Sequence, residues 1–109
     1  MVLSQEQEEI LENVLKMDKL QANKLYRACI FGYNAGDIQK MIVYTIYYGK
    51  KRRMKKGYQA ELKIALGDVI AQIFLLIKLF NLDMKEIIDL GIGRLTEFPK
   101  YTEKYLVKE

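Results

Sequence analysis

The residues best suited to chemistry are carboxylates and amides on two apolar segments with helical spacing. Asn34 and Asp37 are three residues apart, so they share one face of a helix. Glu61 and Asp68 are seven apart, nearly two turns, and Gln72 follows one turn later. Antiparallel packing of the two segments would gather these side chains into one polar patch. Carboxylates in an apolar bundle are costly unless they are paired or bind a cation.

The patch predicts a Mg²⁺ site, with Asn34, Asp37, Glu61 and Asp68 as the candidate ligands. Mg²⁺ prefers carboxylate and water oxygens, often shared with substrate phosphates. A bound ion would polarise a phosphoryl oxygen and activate the attacking water. The alternative is that Asp37 and Asp68 face solvent or pair with a base: Lys40, Lys63 or Arg27. Single acids on helices are more commonly solvated.

The composition narrows the chemistry further. The chain has no His and a single Cys, Cys29. Nucleophiles activated by His, zinc sites containing His and internal disulfides are therefore excluded. Half of the residues are hydrophobic, which is enough for a packed core and excludes a disordered chain. Catalysis would have to use carboxylates, Lys, Tyr or a metal with oxygen ligands.

A basic segment, residues 49–57, joins the two regions that carry the acids. It contains six Lys or Arg residues, and the rest of the chain has 12 basic against 14 acidic residues. We predict that Lys50, Lys51, Arg52 and Arg53 bind phosphate, on a nucleotide or on nucleic acid. The equally weighted alternative is a solvated connector. The segment lacks the interleaved aromatic residues typical of nucleic-acid binding.

Two sequence blocks carry a family resemblance. Residues 33–38 read YNAGDI, and residues 65–70 read ALGDVI, followed by an apolar run and by NLDMKE at 81–86. These blocks resemble the EEAGEL-type helix, the ELADVL segment and the GIDLEE-type turn of the MazG-like, all-α nucleoside triphosphate pyrophosphohydrolases. The resemblance covers about residues 25–99. It implies Mg²⁺-dependent cleavage of a nucleoside triphosphate to the monophosphate and pyrophosphate.

The four metal-binding acids of that family are matched only in part. Asp37 and Asp68 keep a carboxylate, Asn34 keeps an oxygen without the charge, and Ala65 offers no ligand. Helical spacing offers Glu61, one turn before Ala65, as a geometric substitute. Whether the fourth helix adds an acid, Asp89 or Glu97, is left open by the sequence.

Three functional hypotheses follow. The first is an active MazG-like enzyme. The second is a catalytically inactive member of the same fold that binds nucleotide or only oligomerises, and the sequence ranks these two close together. The third is a nucleic-acid-associated helical module that acts through the basic segment.

The predicted organisation is a single all-α domain, a MazG-like four-helix bundle, over residues 1–109. An N-terminal helix lies in 1–18, the core helices lie in 19–98 around the basic segment, and 99–109 form a tail. The helix starts are predicted from side-chain caps: Ser4 with Gln7, Asp18 with Gln21, and Asp83 with Glu86.

The helix ends are predicted from breakers. The second helix runs to about Tyr48, the third spans about 58–80 with Asn81 as its stop, and the fourth ends before Pro99. Each glycine inside a helix costs about 1 kcal/mol relative to Ala. The glycines therefore predict close packing or a kink in the second helix and weakening of the fourth: Gly32, Gly36, Gly91 and Gly93.

The third helix is apolar nearly all round from Leu62 to Ile77. A surface helix shows a single apolar stripe, and four short helices can hardly enclose such a helix on every side. We therefore expect a homo-oligomer, a dimer or tetramer, with the second and third helices at the subunit contact.

The cytoplasm is the expected location. Residues 1–9 lack the basic start and apolar stretch of a signal peptide. The most apolar segment, 69–80, is too short and too polar to span a membrane, so no membrane partner is expected.

Overall fold

A computed structural model describes the backbone of residues 2–48 and 58–102, and the side chains of residues 2–44 and 59–97. The described chain contains no strand and forms four helices: α1 Gln5–Lys16, α2 Lys24–Tyr48, α3 Tyr58–Leu79 and α4 Met84–Thr102. The all-α prediction is confirmed. No helix in this part of the chain is long and apolar enough to cross a bilayer.

Side-chain caps set the starts of α1 and α4, and the predicted pair of Ser4 with Gln7 is confirmed, whereas Asp83 caps α4 through Lys85. Ser4 Oγ accepts a hydrogen bond from the Gln7 backbone N–H at 3.1 Å, and Gln7 Oε1 accepts one from the Ser4 N–H at 2.9 Å. This reciprocal pair satisfies amides that have no partner within the helix. At α4, the Asp83 carboxylate accepts from the Lys85 N–H at 3.1 Å.

The predicted start of α2 at Asp18 is wrong. Asp18 does cap, accepting from the Gln21 N–H at 2.9 Å, but only a turn follows. α2 begins at Lys24, where Asn23 Oδ1 accepts from the Tyr26 N–H at 2.8 Å. A helix continuing from Asp18 would need the Gln21 carbonyl for its own ladder, and that oxygen instead accepts from the Arg27 guanidinium at 2.7 Å.

The end of α3 agrees with the prediction. Asn81 has a φ of 57°, in the left-handed region. Its N–H donates to the Lys78 carbonyl at 3.0 Å, and the Leu82 N–H donates to the Ile77 carbonyl at 2.9 Å. These two bonds form a Schellman motif, which satisfies the last carbonyls of the helix and turns the chain sharply.

The predicted end of α4 before Pro99 is wrong, because the helix continues to Thr102. The missing N–H of Pro99 removes one backbone hydrogen bond without stopping the helix. Close packing at Gly32 and Gly36 is wrong within the described chain, because a Cβ at either would meet no atom within 4 Å. α2 and α4 continue through their glycines. A kink in α2 and a weakening of α4 stay predictions.

Helices α1, α2 and α3 pack together, with α3 between the other two. Lys78 on α3 forms ion pairs with Glu8 and Glu12 of α1, the second at 3.8 Å. Leu11 of α1 is buried, and it lines a small apolar cavity with Phe74 of α3. α4 touches the other helices only marginally in the described part.

The arrangement is open. The radius of gyration is 17.6 Å, against about 13 Å for a compact chain of this length. The buried hydrophobic residues of the described chain are few: Leu11, Leu75 and Ile77. Much apolar surface therefore stays uncovered.

Candidate functional site

The α2·α3 pair carries both acidic motifs, and two contacts define its direction. The Lys24 ammonium lies 4.9 Å from the centroid of the Phe80 ring. Three residues along α2, Arg27 Nη1 donates to Gln72 Oε1 at 3.0 Å. Residue numbers rise along α2 while those of the contacted residues on α3 fall, so the two helices are antiparallel. The predicted site requires this arrangement.

The first residues of the two motifs face each other. Two turns from the Arg27–Gln72 hydrogen bond along each helix, Asn34 on α2 comes level with Ala65 on α3. Both are half-buried, in line with the seam between the helices. Buried or half-buried positions recur every three or four residues along the α2 side of this seam: Arg27, Ile30, Phe31, Asn34, Ala35, Ile38 and Met41.

The three candidate carboxylates lie outside the seam. Asp37, Glu61 and Asp68 are all exposed. With 100° per residue on antiparallel helices, all three fall on the same side of the α2·α3 pair. In the described chain none of them forms an ion pair, so Asp37 and Asp68 are not neutralised by a nearby base. The shared side of the pair is therefore acidic and open to solvent.

The donor set is weak for a pre-formed metal cage. Among the residues that the structure describes, no group of three or more His, Cys, Asp or Glu side chains could hold a metal ion. Gln72, predicted to join the acidic patch, instead accepts a hydrogen bond from Arg27. Asp37, Asp68 and Glu61 are available as single ligands, with Asn34 beside them at the seam.

Arg27 has a role that the sequence analysis did not assign: it does not pair with Asp37 or Asp68 but joins α2 to α3. It is only 4% exposed. Its Nε donates to the Gln21 carbonyl, Nη1 to Gln72 and Nη2 to Gln21 Oε1. Its Cζ lies 5.4 Å from the centroid of the Tyr26 ring. No described carboxylate pairs with it, so its charge is satisfied by neutral oxygens and an aromatic face.

A signal for Arg27 was present in the sequence. At helical spacing, Arg27 shares one side of α2 with Ile30, Phe31 and Asn34. A charged residue on an apolar helix face must find hydrogen-bond acceptors. We call the group of Arg27, Gln21 and Gln72 the α2 anchor, because its hydrogen bonds fix the N-terminal end of α2 against α3.

The acids of α4 lie apart from the α2·α3 pair. Asp89 forms an ion pair with Lys85 at 2.9 Å on the exposed surface of α4. Asp89 and Glu97 both line a shallow groove along the polar side of that helix. Since α4 packs along none of the other helices in the described chain, its acids belong to a separate surface.

The predicted phosphate ligands Lys50, Lys51, Arg52 and Arg53 lie outside the described residues. Comparison with family models, curated proteins and solved structures finds no match for this chain. The resemblance to the MazG-like family therefore depends on the two acidic blocks and the turn that follows them.

Proposed function

We propose that this chain is a self-associating, MazG-like nucleotide-handling protein that cleaves a nucleoside triphosphate to the monophosphate and pyrophosphate with Mg²⁺. The observation that carries the proposal is the acidic side of the α2·α3 pair. There Asp37, Glu61 and Asp68 are exposed, without ion pairs among the described residues, and on one side.

The donors fit one mode of Mg²⁺ binding. Mg²⁺ often binds through one or two carboxylates while waters and substrate phosphates complete its coordination. Exposed single carboxylates such as Asp37 and Asp68 suit that mode, in which the metal arrives with the nucleotide. When bound, the ion supplies charge stabilisation to the phosphoryl group and activates water.

The chain's own residues contribute binding and charge. Asp37 and Asp68 would attract and hold the divalent cation, and Glu61 adds negative charge on the same side. Asn34 offers an amide oxygen at the seam. In the proposal, Lys50 to Arg53 neutralise the triphosphate and favour the charge that develops during cleavage.

The test is pyrophosphate release from a panel of nucleoside triphosphates with Mg²⁺. We expect Asp68→Asn to lower kcat/KM on the order of 100-fold, as loss of one electrostatic group at a reaction centre does. The matched control is Glu9→Gln, which removes an exposed helical carboxylate from α1. Equal rates in both variants would contradict the proposal.

The inactive alternative is favoured by one observation: the described residues bring no three ligands together. It predicts that a nucleotide raises Tm without pyrophosphate release, by an amount that grows with the logarithm of its concentration once that exceeds Kd. The same measurement with DNA or RNA at two salt concentrations separates a nucleic-acid module, whose affinity falls steeply with salt.

Self-association is supported by exposed apolar side chains. Large side chains on α3 are open to solvent, with Ile64 67% and Ile70 50% exposed. A standard interface buries about 800 Å² on each partner. Sedimentation velocity at micromolar concentrations tests this part, and a stable monomer would contradict it.

A further inference from the structure

Helix α1 is held to the rest of the described chain by few contacts. It packs along α3 and along no other helix of that part. Leu11 is its one buried residue, and beside it an open cleft of about 180 Å³, lined mainly by apolar side chains, remains between the two helices. Residues 17–23, which form no helix, connect α1 to α2. Apolar packing of this extent fixes a short helix only weakly, so α1 needs a further contact to stay docked.

The further contact is electrostatic and is centred on Lys78 of α3. The Lys78 ammonium pairs with the carboxylates of Glu8 and Glu12, which lie one turn apart on α1. We call these three residues the Lys78 bridge. The Lys78 side chain is only 21% exposed, whereas the Lys85 side chain in the ion pair of α4 is 76% exposed. Because shielding from water reduces screening by salt, the Lys78 bridge holds its partners more strongly than an exposed pair does.

The charge of α1 makes the helix itself dependent on this bridge. α1 contains four Glu residues and one Lys, a net charge of −3. Glu8 and Glu12 are four residues apart, and like charges at this spacing destabilise a helix. Lys16, one turn after Glu12, forms no ion pair in the described chain, so the neutralising charge comes from Lys78 on α3.

The length of α1 couples docking to helix formation. The helix has 12 residues, a length at which isolated helices are marginal in water. The capping box of Ser4 with Gln7 satisfies its first amides but leaves its charge unchanged. A copy of α1 that leaves α3 therefore loses its helical structure as well as its position.

We propose that α1 is a releasable helix and that the Lys78 bridge controls its release. While Lys78 pairs with Glu8 and Glu12, α1 is docked and helical. When high ionic strength or loss of the lysine charge breaks the bridge, α1 detaches and unfolds as a local unit. The α2·α3 pair is retained, because the α2 anchor joins those two helices without α1. Release uncovers the side of α3 that carries Phe74.

The first experiment compares Lys78→Glu with Lys85→Glu, which reverses the charge of a lysine paired only within α4. Hydrogen exchange is followed by mass spectrometry on the full chain at fixed protein concentration. Two attractions become repulsions in Lys78→Glu, so we expect exchange in α1 to accelerate about 10-fold. Exchange in α2 and α3 should stay at the wild-type rate, and Lys85→Glu should leave α1 unchanged.

A charge swap separates the bridge from a general effect of substitution. Lys78→Glu combined with Glu8→Lys and Glu12→Lys places opposite charges at the same three positions. We expect this triple variant to recover most of the protection of α1. Failure to recover it would overturn the proposal, because the charges themselves would then not hold the helix.

Salt provides a test without disturbing the wild-type chain. Raising NaCl from about 0.02 M to about 0.5 M shortens the screening length several-fold. We expect the protection factors of α1 to fall in the wild type. In Lys78→Gln the same salt should leave them unchanged or raise them, because only the repulsion between Glu8 and Glu12 remains to be screened.

The remaining outcomes are clear-cut. Unchanged protection of α1 in Lys78→Glu overturns the proposal. Equal loss of protection in α1, α2 and α3 also overturns it, since Lys78 would then stabilise the whole fold and not one releasable helix. None of these measurements depends on nucleotide or on pyrophosphate release, so the result is independent of the function proposed above.

Discussion

The N-terminal end of α2 and the helix α4 differ in how the protein fixes a helix in place. Both begin at a side-chain cap, Asn23 for α2 and Asp83 for α4. At α2 the cap is followed by the α2 anchor, a buried guanidinium that ties the helix to α3. At α4 no comparable contact follows in the described chain. A local cap therefore starts a helix, and only tertiary burial fixes its position.

The largest effect is expected for Arg27→Ala. It removes three hydrogen bonds and leaves Gln21 and Gln72 with unpaired oxygens near a half-buried seam. We expect a loss of about 3 kcal/mol in the free energy of unfolding. Urea denaturation at fixed protein concentration measures it. Arg94→Ala, which truncates an exposed Arg of α4, is the control and should change stability by less than about 0.5 kcal/mol.

Removing the N-terminal caps of α2 and α4 tests the same difference with smaller expected effects. Asn23→Ala and Asp83→Ala each remove one cap, typically worth about 1 kcal/mol. Because α2 is anchored to α3, we expect Asn23→Ala to lower global stability. For Asp83→Ala, amide exchange is measured at a protein concentration below the dissociation constant for self-association. We expect faster exchange only in the first turn of α4. Hydrogen exchange that accelerates across α1 to α3 in Asp83→Ala would contradict this difference.

The smallest effect separates two glycines that both face open space, Gly93 and Gly32. Gly93 is on the polar side of α4, so Gly93→Ala should stabilise the α4 helix itself by about 1 kcal/mol through helix propensity. Gly32 is exposed on α2, one of the two helices expected at the subunit contact, where an added methyl group would obstruct a partner helix. We expect Gly32→Ala to weaken self-association while Gly93→Ala leaves it unchanged. Sedimentation of both variants compares them.

Local signals in the sequence predicted the fold well. The caps at Ser4 and Asp83 and the stop at Asn81 each depend on residues within a few positions, so spacing alone identifies them. The start of α2 failed because two caps, Asp18 and Asn23, compete over a short stretch. The Gln21 carbonyl decides between them by pairing with Arg27, a tertiary contact that no local pattern contains.

The candidate site was predictable in outline. Helical spacing predicts a common side for Asp37, Glu61 and Asp68, and the antiparallel contact of α2 with α3 agrees with that arrangement. The role assigned to Gln72 was not predictable from spacing, because the residue pairs with Arg27 across the seam. Metal binding by the three acids stays a prediction. It depends on a nucleotide, whose phosphates would supply the remaining oxygen ligands.

The Schellman turn at Asn81 has a consequence for tether length. Only residues 80–83 separate α3 from α4, and the left-handed Asn81 sets the direction in which α4 leaves. Connections of this length commonly join antiparallel neighbours, so the direction set at Asn81, and not the length of the connection, keeps α4 away from α3. A flexible insertion after Asn81 would free this direction and let α4 pack against α2 or α3 of its own chain. The same sequence of helices would then give a monomer, with the connector acting as the switch between the two assemblies.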